Sequence, residues 1–152
     1  MRQLVRAGLL GLLVTGAMMQ PAVAANGLKA AAREAVAIFV GHDPVRGEAQ
    51  IREVANGGLT AIEALWRAAY DIVASNRNAD SSEVARRLLI GTQATQLIAR
   101  VAGERDHADM QHYVLARLAW LYKAHAYALE DIDAALFING KEARYWRTKG
   151  MI

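Results

Sequence analysis

From Glu104 to Ile138 the chain contains neither glycine nor proline, and its apolar residues return every three or four positions, the period of a helix. Counting about 100° per residue from Val114 places Met110, Leu118, Leu121, His125, Ala128, Ile132 and Leu136 along one line. The spacing predicts a single long helix over 104–138, on the order of 45 Å at the helical rise, stopped by Asn139-Gly140. Tyr113, Trp120 and Tyr127 recur every seven residues on a second line. A helix apolar on two faces belongs in the middle of a bundle, with only a stripe of His112, Lys123 and Glu130 left for water.

Four shorter helices are expected before it. Leu28, Ala32, Val36, Phe39 and Val40 follow the same period up to Gly41. Asp43-Pro44 reads as the cap and first residue of a second helix, which runs to about Asn56 and is stopped by Gly57-Gly58. Thr60-x-x-Glu63 has the form of a capping box opening a third helix to about Ser75, with Ile62, Leu65, Trp66, Ala69, Ile72 and Val73 behind it. After the polar loop SNRNADSS, Asp80-x-x-Glu83 opens a fourth helix to Gly103. Gly91, Thr95, Ala99 and Gly103 line one ridge of it, where a neighbouring helix can approach closely. With no strand pattern, the expected fold is all-α: one helical bundle of about five helices with the long one central and near the C-terminus.

The N-terminus carries a basic start, MRQLVR, an apolar run, AGLLGLLVTGAMM, and a small-x-small pattern at Ala22 and Ala24. This is the form of a secretory signal peptide over 1–24, leaving a domain over 25–152 and a periplasmic or secreted location. Cleavage there removes two of the 18 basic residues and none of the 15 acids, so the formal charge of +3 falls to about +1. Such a balance lacks the basic footprint of a nucleic-acid binder. The chain has no cysteine, so outside the cytoplasm it stands on packing alone.

Candidate sites are few. His107 and His112 are five apart, about 140° around a helix, and do not face one ion. Asp109 and His112, three apart, are the remaining metal candidates, but two ligands fall short of the usual four. No metal is expected. His125 lies on the predicted core line with Arg117 and Asp131 nearby, a set that either fixes packing or, completed by groups such as Thr92, Thr95, Gln96, Glu63 or Arg67, binds a ligand inside the bundle. Tyr113, Trp120 and Tyr127 either pack in the core or line a groove. The segment 141–152 sets Arg144 and Arg147 beside Tyr145 and Trp146. It suits an anionic headgroup layer or an acidic partner surface, or folds back on Glu130, Asp131 and Asp133.

No Cys-x-x-Cys-His motif, no paired Glu-x-x-His and no nucleophile elbow or phosphate loop occurs, so no cofactor is expected. Arg86, Arg87, Arg100, Arg105 and Arg117 leave an arginine-dependent enzyme as a third reading. The first is a binding or accessory protein acting on another envelope protein or an anionic membrane surface, as a monomer or homodimer. The second is a small-ligand or metal-binding bundle using the interior around His125.

Overall fold

A computed structural model describes residues 21–41, 43–76 and 81–152. Residues 1–20 of the signal-peptide assignment and the cap at Asp80, in the loop 77–80, lie outside the described residues, while the cleavage pattern at Ala22 and Ala24 falls in the first turns of the first described helix.

Seven helices and no strand are found among the described residues: α1 (Pro21–Val40), α2 (Pro44–Val54), α3 (Leu59–Asn76), α4 (Ser82–Glu104), α5 (Ala108–Leu121), α6 (His125–Ile138) and α7 (Ala143–Met151), with a 3-10 turn over Ala55–Gly57. The fold is all-α. The two pieces of local chemistry that position the first half are caps. Asp43 accepts the Arg46 amide at 3.0 Å with Pro44 as the first helical residue, and Ser81 accepts the Val84 amide at 3.3 Å. The expected box at Thr60 is not formed: α3 begins one residue earlier, behind Gly58 at φ 78°. Glu63 instead reaches out to Arg144.

The predicted long helix is two helices. At Lys123 the backbone turns left-handed, φ 58°, and the Ala124 and Lys123 amides bond back to the Ala119 and Trp120 carbonyls, both at 3.0 Å. This is a Schellman stop built on lysine rather than glycine. Asp106 (φ 62°) closes α4 in the same way, its amide on Gly103 and that of His107 on Ala102. The stop at Lys123 was hidden because it is not the glycine that usually marks one; the end of α4 was expected at Gly103, one residue early, but the turn at Asp106 that delays α5 to Ala108 was not. Lysine loses about 1–2 kcal/mol in this conformation and glycine about 0.5–1 kcal/mol in extra chain entropy, so replacing Lys123 with glycine should raise stability by about 0.5–1 kcal/mol, read as a higher urea midpoint with an unchanged slope.

The core line nonetheless survives the break. Met110, Val114, Leu118, Leu121, Ala128, Ile132 and Leu136 are all buried, because α5 and α6 fold into an antiparallel hairpin and turn the same stripe inward from both sides. His112 Nδ1 meets Asp131 Oδ1 at 2.9 Å across this hairpin. The centre of the bundle, however, is α3 and α4. α1 and α2 pack on one side and α5 on the other, while α6 touches chiefly α5 and α7. The small-residue ridge works as expected: Gly91, Thr95 and Ala99 are buried, and a methyl at Gly91 would press on Ile72 and Val73 of α3 at 3.1–3.2 Å.

Candidate functional site

The hairpin turn redistributes the residues expected to act together. His125, placed in the core by an unbroken helix count, is exposed as the first residue of α6, so no interior site forms around it. The heptad aromatics also part company: Tyr113 is buried, Trp120 is half-buried and Tyr127 is 69 % exposed. They line no common groove.

Tyr113 belongs to a ring cluster drawn from three helices. Its centroid lies 5.1 Å from Trp66 of α3 and 5.0 Å from Tyr145 of α7, and Tyr70 extends the cluster 5.6 Å from Trp66. Two arginines cover it. Arg117 stands 5.0 Å and 5.3 Å from the Tyr70 and Trp120 rings and donates to the Tyr70 hydroxyl at 2.8 Å. Arg144 stands 5.5 Å from both Tyr113 and Tyr145 while pairing with Glu63 at 2.5 Å. Arg144 has its charge matched by Glu63, whereas Arg117 is held by the two rings and the Tyr70 hydroxyl alone.

Asp109 and His112, the metal candidates, have other partners. Asp109 Oδ2 accepts from Asn139 at 2.9 Å and from the Tyr145 hydroxyl at 3.0 Å. Burial would raise its pKa, but these two bonds and the Met110 amide outweigh it and hold the carboxyl below its ordinary value. The Tyr145 phenol moves the other way, raised first by burial and then by the Asp109 charge. No cluster of three metal-ligating side chains occurs among the described residues. The arginines considered for an enzyme are dispersed as well: Arg86 and Arg87 pair with Glu83 at the start of α4, and Arg105 bonds Arg52 O and Asn56 beyond its other end, roughly 28 Å away along the helix.

The C-terminal segment divides in two. As one of the sequence alternatives had it, part folds back: Tyr145 is fully buried and Lys149 pairs with Asp133 at 2.6 Å. Trp146 and Arg147 face outward. The Trp146 indole is 55 % exposed yet fixed, its Nε1 donating to Gly140 O at 2.9 Å in the turn between α6 and α7. Beside that turn Ile138 is 50 % and Phe137 93 % exposed.

Phe137 and Ile138 do not stand out in the sequence because they directly follow Leu136, the last residue of the core line. The signal was present in the composition of α6, which carries Tyr127, Leu129, Phe137 and Ile138 on sides other than the buried one of Ala128, Ile132, Ala135 and Leu136. Among the described residues no helix is long and apolar enough to cross a membrane. Comparison with known proteins finds no match: no family model, no curated protein and no solved structure aligns with the chain.

Proposed function

We propose that the chain is an exported helical binding protein, processed near Ala24 and resident in the periplasm, that docks on another envelope protein with the outer face of α6 and the α6–α7 turn. The signal-like first 24 residues support the location. One observation carries the docking: beyond its buried stripe, α6 leaves Tyr127, Leu129, Phe137 and Ile138 exposed, apolar surface that binding would cover. Phe137, almost wholly in water, is the most exposed large apolar side chain among the described residues. Trp146, fixed to the turn that follows α6, supplies an aromatic anchor that loses little freedom on binding. On the same two helices and their turn Glu130, Lys141 and Arg147 are exposed, charges of both signs. That polar rim suits a protein surface and repels an anionic bilayer at Glu130.

The test is photocrosslinking in the intact envelope. A photoreactive residue at 137 or 146 should give one discrete adduct with a second protein, and one at Val45, an equally exposed apolar site on α2, should give none. Phe137→Asp should weaken the isolated complex by about thirtyfold, the scale of an interface anchor, without changing the melting temperature. A crosslink to a second copy of the chain, to lipid only, or equally from 45 and 137 would sink the reading.

A further inference from the structure

On the flank formed by α1 and α3, a cleft of about 340 Å³ opens between the two helices, at the lower end of the range for small-molecule sites. Its apolar surface comes from Leu28 of α1 and from Ala64 and Ala68 of α3, small residues whose size leaves the space. Its charge comes from Lys29 and Arg33, one turn apart on α1, and Arg67 facing them from α3. None of the three has a carboxylate within ion-pair distance among the described residues.

The acids at the cleft do not cancel them. Glu63 is engaged by Arg144, which leaves Asp71 at one end against three cations. Three like charges gathered at one cleft repel one another, and an anion seated between them relieves that repulsion while guanidinium groups grip its oxygens in pairs. We infer that this cleft binds a small organic anion, a carboxylate or phosphate monoester with a short apolar body, its oxygens on Arg33 and Arg67 and its carbon chain over Ala64 and Ala68. The site is separate from the α6–α7 docking face and does not depend on it.

The measurement is a series of amide NMR titrations of the exported, processed protein with hexanoate, phenyl phosphate and hexylamine. The two anions should shift the amides of 28–33 and 60–71, and hexylamine, with the same chain and the opposite charge, should not. Arg33→Gln with Arg67→Gln should weaken both anions by about tenfold or more, the scale of losing charge-assisted bonds, while the pair of lysine replacements should retain part of the binding. Both arginines are exposed, and an unchanged melting temperature verifies that the variants fold. Shifts scattered over the surface, shifts indifferent to the double replacement, or equal binding of hexylamine would overturn the assignment. So would sedimentation with phosphatidylglycerol vesicles through Arg33 and Arg67 with no response to the soluble anions, which would make the cleft a headgroup contact.

Discussion

Gly47→Ala is expected to lower stability by about 3 kcal/mol and the melting temperature by on the order of 10 °C. Gly47 is buried where α2 crosses α1, and a methyl added to it would lie 2.6 Å from Phe39 Cβ and closer still to Phe39 Cα and N. Those are backbone atoms, so no rotamer change relieves the clash. Relief requires sliding α2 away from α1, which opens the core that Ile51 of α2 shares with Ala35 and Val36 of α1. Alanine's advantage over glycine inside a helix, about 1 kcal/mol, is too small to compensate. Gly103→Ala is the control. There the added methyl meets only the end of the Gln111 side chain, with Gln111 Cδ at 2.9 Å, and a glutamine can swing aside. Thermal unfolding of the two variants should place Gly47→Ala far below the parent and Gly103→Ala within about 1 kcal/mol of it. Equal effects would show that α1 and α2 are not held in this close crossing.

The contrast between these glycines bears on what the sequence revealed. Gly41, Gly57-Gly58 and Pro44 were legible as helix boundaries because their backbones do something few other residues do, and α1 to α4 lie within a few residues of where those signals put them. Gly47 was silent, since its role is to be small against one partner, Phe39, and that partner is set by tertiary packing. Lys123 and Asp106 were misleading for the opposite reason: each adopts a glycine-like backbone without being glycine. Periodicity predicted which residues of α5 and α6 are buried, yet it is blind to reversal, since a stripe folded back on itself has the same spacing as one continued.

The candidate sites suffered most from that blindness. His125 moved from core to surface and Tyr127 from groove to solvent because both lie just past the turn. The pairing of His112 with Asp131 and of Asp109 with Tyr145 joins residues on different helices. Residue type gave the donors and acceptors, and only the fold gave the partners. The cleft between α1 and α3 was beyond reach in the same way, because Lys29, Arg33 and Arg67 read separately are three ordinary surface cations.

Tyr145→Ala is expected to cost about 4 kcal/mol, as much as losing a large side chain from the middle of a domain, although Tyr145 lies seven positions from the last residue of the sequence. It is the largest fully buried side chain among the described residues, packs its ring tilted against that of Tyr113 and holds Asp109 with its hydroxyl. Tyr145→Phe keeps the ring and removes only the bond, for about 1–2 kcal/mol. The phenylalanine variant also has a pH signature. The folded Asp109 carboxyl titrates below its ordinary value of 3.8, so the stability it contributes is fully present above that value and is lost as the pH falls through the lower folded one. Because the Tyr145 hydroxyl is one cause of that depression, the gap between wild type and Tyr145→Phe should be widest at neutral pH and should narrow in acid below 3.8. Urea unfolding of both proteins across that range measures it. A constant gap would mean the hydroxyl does not act on the carboxylate. A small cost for Tyr145→Ala would mean that α7 is a detachable tail, in which case removing 141–152 cleanly tests binding. With the expected large cost, such a truncation unfolds the neighbourhood of the docking face, and only surface replacements such as Phe137→Asp separate loss of binding from loss of fold.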